Sequence, residues 1–320
     1  MKNRKSDIKG MVLLAVLIAA CTLPAVGCSS DAADVFILPS IDISRNNTNA
    51  DEAAWKCDGT GYYYTIKEDV QVIGTSSTGK TITFDIQNGA TVVWTANTHS
   101  SSLYNNLVEL TDTGDGTFQV LSGEIIQEID GGYAIYHGKY PGSKITIEIK
   151  GGKVSKNGKS NHTICAAGAK VIVSGGTVSA SGGNNIAIYA NGDVIVSGGT
   201  IETNGNDSIA LGVEDSSVSI TLSGGTAKSS GVNARAIDTN CNVTVNGIVT
   251  LSGRIFCNGI TVNSGGTLTV LPGTVLDIWG DLTNNGIIAN AGTINIYNSA
   301  FINNGTVIPP TNQPNIITSI

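Results

Sequence analysis

Ser174-Gly175-Gly176-Thr177-Val178, Ser197-Gly198-Gly199-Thr200-Ile201 and Ser223-Gly224-Gly225-Thr226-Ala227 are three copies of one cassette. Ser264-Gly265-Gly266-Thr267-Leu268 is a close echo further on. The central copies lie roughly 23 to 26 residues apart, the period of a solenoid whose supersecondary units stack on one another.

The residues before each Gly-Gly alternate in polarity. Ile145-Thr146-Ile147-Glu148-Ile149, Val218-Ser219-Ile220-Thr221-Leu222 and Val243-Thr244-Val245 have the period of two expected of a strand with one buried face. Val171/Val173 and Val194/Val196 take the same inward places, with Ile172 and Ile195 outward. Gly-Gly supplies a corner. A second strand carries Val178, Ile201 or Leu268 inward. A polar loop follows, Ser181-Gly182-Gly183-Asn184-Asn185 in one copy and Asn204-Gly205-Asn206-Asp207 in the next. A third strand is spelled Ala134-Ile135-Tyr136, Thr163-Ile164-Cys165, Ala187-Ile188-Tyr189, Ala210-Leu211-Gly212 and Ala236-Ile237-Asp238. Three strands and three corners per repeat predict an all-β, single-stranded parallel β-helix of roughly ten rungs, with almost no helix.

The pattern is looser before residue 120, and the spacing shortens after residue 245. These changes divide the chain into a linker and N-terminal cap over 29–59, a β-helix over 60–308 and a tail over 309–320. Pro309-Pro310 is expected to block further strand addition, since proline donates nothing to a ladder.

Residues 1–28 read as an export signal. Lys2, Arg4, Lys5 and Lys9 precede the apolar run Met11–Ala20, which is too short to span a bilayer. The segment resembles a bacterial lipoprotein signal in Ala25-Val26-Gly27-Cys28-Ser29-Ser30, with Ile18-Ala19-Ala20-Cys21 as the alternative. That resemblance implies a lipid on Cys28, or on Cys21, and a protein held at the extracytoplasmic side of a membrane in the cell envelope. The formal charge is −7, and loss of the signal makes it more acidic. An acidic chain without Lys/Arg clusters argues against nucleic acid as a partner and leaves the lipid as the membrane attachment. Export permits disulfides. Cys241 and Cys257 occupy matching places in neighbouring copies, consistent with either a disulfide or a ladder of buried thiols.

Trp94, Phe118-Gln119-Val120-Leu121-Ser122-Gly123, Tyr133-Ala134-Ile135-Tyr136 and the cassettes together resemble bacterial surface proteins with right-handed, pectate-lyase-like β-helix repeats. The resemblance spans roughly residues 60–310. It implies the right-handed fold and a carbohydrate-binding or adhesin-like role.

Polysaccharide lyases and hydrolases are among the proteins with the fold that this resemblance implies. The Asn-Thr-Asp, Asp-Asp, Gly-His-Gly and Arg-Ile-Lys series of galacturonase-type hydrolases is missing, and the adjacent carboxylates Glu214-Asp215 sit on a predicted turn. Tyr136, His137, Lys139 and Tyr140 form the densest group of proton-transfer side chains, but few carboxylates lie nearby. Asp112-Thr113-Gly114-Asp115-Gly116 lacks the further ligands of a calcium loop and reads as a turn; His99, His137 and His162 share no metal-ligand spacing. No cofactor or metal is expected.

Binding is the better expectation. With Ile135, Ile164, Ile188, Leu211 and Ile237 inward, the flanking residues are expected to face out. Ala134, Thr163, Ala187, Ala210 and Ala236 would then form a smooth floor beside Tyr136, Cys165, Tyr189, Gly212 and Asp238. Tyrosines stack on sugar faces, and Asn184, Asn185 and Asp238 can take hydroxyls. His137, Lys139 and Tyr140 complete the candidate ligand set. The expected function is a non-catalytic, lipid-anchored surface β-helix that binds a polysaccharide or cell-surface glycan. A lyase or hydrolase and a passive envelope scaffold are the alternatives. Trp55, Trp94 and Trp279 are expected to be cap or packing residues.

Overall fold

A computed structural model describes residues 38–44, 55–57, 61–100, 105–138 and 142–318. Cys21, Cys28, most of the expected cap, Lys139 and Tyr140 lie outside the described residues. From Leu38 onward the described residues form a right-handed parallel β-helix of about eleven turns, with no helix among them. Lys170–Val173, Thr177–Ala180 and Asn185–Ala190 make up one rung. Each of these strands stacks in parallel on its counterparts, so the rungs build three faces, named first, second and third in that order. Among the described residues, the one antiparallel pairing joins Trp55–Cys57 to Gly61–Ile66 at the start of the third face.

Alternation puts like residues in like places. Val92, Phe118, Ile147, Val171, Val194, Ile220, Val243, Ile260 and Leu282 face one another rung by rung, and all are buried. A rung on its own leaves these side chains wet on two sides. Stacking removes them from water at roughly 1.5–3 kcal/mol per fully buried aliphatic side chain, so cohesion is a property of neighbours.

The cassette has a steric origin. A Cβ on Gly175, Gly198 or Gly224 would come within 2.1, 2.3 or 2.4 Å of a carbonyl oxygen on the preceding rung. The following Gly176, Gly199 and Gly225 have φ of +66°, +72° and +81°, which a side chain opposes. Two glycines are needed for two different reasons. In the second and third copies the corner is a bulge inside one long strand, Val194–Thr203 or Ile220–Ser229, rather than a break between strands. The echo at 264–266 reverses the roles. There Gly265 is left-handed in open space, and Gly266 lies against the Val245 carbonyl.

The later rungs are shorter because the loop between second and third faces contracts. Residues 204–208 fill that corner in one turn, whereas only Gly253 separates Ile248–Ser252 from Arg254–Cys257 in a later one. In these later rungs asparagine side chains brace the other corner, between the first and second faces: Asn263 Nδ2 donates to Asn246 Oδ1 at 2.8 Å and Asn304 Nδ2 to Asn285 Oδ1 at 3.0 Å.

Two boundary expectations change. Ser40–Asp42 already pairs in parallel with the first face, inside the expected cap. Beyond Pro309-Pro310, Asn315–Ile317 adds another strand to the third face against Asn295–Tyr297. The prolines occupy a corner, where no ladder hydrogen bond is required of them, so they do not stop the sheet.

Candidate functional site

The third face carries the site. Its strands contain an irregularity: Ile186 pairs with Ile209, then Ile188 with Leu211, so Ala187 and Ala210 fall where the chain bends. Two successive residues point inward there. Ala134, Thr163, Ala187, Ala210 and Ala236 are therefore fully buried, which corrects the expected smooth outer floor. Small side chains stand at these positions because the bend leaves little internal room, and Thr163 turns its hydroxyl to the Ser179 carbonyl at 2.8 Å.

The outward file is Glu109, Tyr136, Cys165, Tyr189, Gly212, Asp238 and Phe256 on consecutive rungs. Rings from outside this file close the gap at Cys165. Tyr136 lies 4.9 Å from Tyr133, Tyr133 5.7 Å from His162, and His162 4.8 Å from Tyr189, the last pair stacked at 21°. Four half-buried rings thus make one continuous row. Burial raises the phenols of Tyr133, Tyr136 and Tyr189 above their ordinary range. Beside the row, burial pushes the Cys165 thiol up to about 11, so it stays protonated and inert. Burial, reinforced by nearby Lys156, lowers His162 to about 4, so the ring is neutral at physiological pH.

The row ends on a notch. Gly212 follows Tyr189 in the file and has no side chain, leaving a cavity of about 320 Å³ lined by Ile186, Tyr189, Ile209, Gly212, Glu214 and Asp238, among others. Tyr189 Oη donates to Glu214 Oε2 at 3.1 Å and accepts from Asn191 Nδ2 at 3.3 Å, which fixes the ring as one wall. Asp238 pairs with Arg235 Nη1 at 2.5 Å. An apolar floor, an aromatic wall and carboxylates at the rim form a shape suited to a sugar ring and its hydroxyls.

Tyr136, Tyr189 and Asp238 are brought together on this strip as expected. Three candidates are not. His137 is fully buried with Nδ1 3.2 Å from the Leu110 carbonyl, because alternation from outward Tyr136 turns it into the core. Asn185 is also fully buried, its Nδ2 donating to the Gly158 carbonyl at 2.6 Å as an internal corner brace. Asn184 is exposed in a left-handed turn at the opposite end of that strand from Tyr189 and does not line the notch. Cys241 and Cys257 are both free and buried, so the thiol reading replaces the disulfide. Cys241 Sγ instead turns to the Asp215 carbonyl at 3.0 Å, and Cys257 lies in the core.

The sequence reading missed Tyr133, His162 and Glu214 as members of the site. His162 is one residue before the buried Thr163, in register with Ile186, and that register was the available signal. Trp279, expected to be a packing residue, is 58% exposed, whereas Trp94 is wholly buried. No group of three or more His, Cys, Asp or Glu side chains suited to a metal occurs among the described residues. Asp115 accepts from the Gly89 amide at 3.0 Å, as a turn residue would.

No family model matches this chain, and neither a curated protein nor a solved structure matches it.

Proposed function

We propose that this chain is an exported, lipid-anchored surface protein that binds a polysaccharide or cell-surface glycan on its third face without cleaving it. The reading rests on one observation, the four-ring row that ends on the notch at Gly212. The core requires none of these rings, since its columns are aliphatic along most of the coil. A resemblance to carbohydrate-binding β-helix surface proteins supports the same role, and the lipid signal at Cys28 or Cys21 would hold the face outside the cell. A non-catalytic site is consistent with phenols raised by burial, which keeps each tyrosine protonated at neutral pH, and with His137 enclosed in the core.

Affinity electrophoresis and calorimetry against neutral and acidic polysaccharides test the proposal. Tyr189→Ala removes the wall and Gly212→Phe fills the notch; each should lower affinity at least about tenfold, or ~1.4 kcal/mol, with the melting temperature little changed. If the wild-type protein binds no polymer, a passive scaffold is the correct reading.

The two carboxylates Glu214 and Asp238 lining one notch favour a hydrolase as the second reading. Release of reducing ends by the wild-type protein, lost in Glu214→Gln and Asp238→Asn, would replace the binding role.

A further inference from the structure

Five rungs separate Tyr189 from Asn295 along the outward file, through Gly212, Asp238, Phe256 and Asp277. Beside this far end lies a second pair of rings. Trp279 stacks on Tyr297 with centroids 4.5 Å apart and an interplanar angle of 19°. Trp279 is the most exposed aromatic side chain among the described residues, so the core does not explain its presence. The platform is nevertheless held firmly. Tyr297 Oη donates to Asp277 Oδ1 at 3.1 Å, and Asn295 Nδ2 donates to the same oxygen at 2.8 Å. Phe256 stands between the two ring groups in the file, with the Arg235 and Arg254 guanidiniums 4.7 and 5.1 Å from its ring centre.

We infer that the third face binds a single extended, neutral polysaccharide chain that bridges the Tyr136–Tyr189 row and the Trp279–Tyr297 platform across Phe256. The inference rests on the glycan-binding reading and adds its ligand class. Trp279 stands on the Asp277 rung, four rungs beyond Tyr189, so at roughly 4.8 Å per rung the two platforms are about 20 Å apart at their near edges, beyond the reach of a mono- or disaccharide. A polymer whose apolar ring faces recur along its length can engage both at once, with the second contact made at high effective concentration. The charges along the path indicate a neutral ligand. Arg235 is tied to Asp238, Arg254 lies over Phe256, and Glu214 holds the Tyr189 hydroxyl, so no run of one sign awaits a polyion.

The test titrates the full folded protein with cello-, manno- and xylo-oligosaccharides from disaccharide to octasaccharide, with their parent polymers, and with polygalacturonate and chitosan. Calorimetry and indole fluorescence are read together. For the preferred neutral series, the octasaccharide should bind at least about tenfold more tightly than the trisaccharide. Trp279→Ala should abolish that gain while leaving trisaccharide affinity and the melting curve unchanged, and Thr283→Ala on the first face should change neither. Equal affinity for short and long oligomers, or an octasaccharide affinity insensitive to Trp279→Ala, would overturn the bridge while leaving glycan binding intact. Preference for polygalacturonate or chitosan would overturn the neutral class. Absence of binding at every length would remove the glycan reading itself.

Discussion

The first and third faces are built on the same strand stacking and enclose the same core, yet their outer sides differ. Outward on the first face, successive late rungs present Thr221, Thr244, Thr261 and Thr283. Such residues suit a solvated strand and need no further explanation. Outward on the third face stand Tyr136, Tyr189, Phe256, Trp279 and Tyr297, with charged neighbours. Stacking requires only the inward columns. The outward file is therefore free to vary, and where rings gather on one face alone, a ligand is the economical explanation.

The comparison can be broken or sharpened by substitution. The largest effect should come from reversing inside and outside on the first face. Val196→Asp places an unpaired carboxylate in the core and should cost about 4 kcal/mol or more, whereas Ile195→Thr, one residue away and outward, should stay within about 1 kcal/mol. Urea unfolding measures both; similar costs would mean that the two sides are not distinguished as described.

A smaller effect should be confined to the third face. His162 titrates at about 4 in the fold, held down by burial and then by Lys156, against about 6.5 in an unfolded chain. Because the native state disfavours the proton, the stability present above about pH 6.5 is lost as the pH falls through 6.5 towards 4. The loss should reach about 2–3 kcal/mol. Carboxylates titrate in the lower part of this range, so the readout is the difference between wild type and His162→Phe at pH 7 and pH 4.5. Identical acid slopes would show that this imidazole is not desolvated.

The smallest effect belongs to the second face. Glu202 opposes Lys228 on the next rung, their charged atoms 2.6 Å apart and well solvated. Glu202→Lys replaces that pair with like charges face to face and should cost about 0.5–1 kcal/mol, relieved by added salt. A cost unaffected by salt would point to packing instead.

Much of the coil was legible because period-two alternation is a local signal: Val194 and Val196 point in, Ile195 points out, and each copy repeats the statement. The cassette was legible as a corner, although the separate duties of Gly198 and Gly199 depend on a carbonyl of another rung and appear only in three dimensions. The site was less legible. Counting outward from Ile188 gave Tyr189 correctly but misplaced Ala187, because a bend lets two adjacent residues share the inside. The same counting left His137 on the surface beside Tyr136, where strict alternation from Ile135 turns it inward. The row itself could not be read from one repeat. Tyr133 and His162 reach it from a different file, and their meeting depends on the register of separate rungs.

The crowded glycine of each cassette has a consequence for how such a coil can lengthen. Gly198 makes room for an oxygen of the turn beneath it, and Gly224 does the same for an oxygen of the Gly198 turn. Fitness at a corner is therefore relational: each copy accommodates the one before and is accommodated by the one after. A duplicated rung inserted between two cassettes would meet a matching surface above and below, whereas an unrelated segment of equal length would collide at its first bend. Growth by copying is thus built into the stereochemistry of the joint.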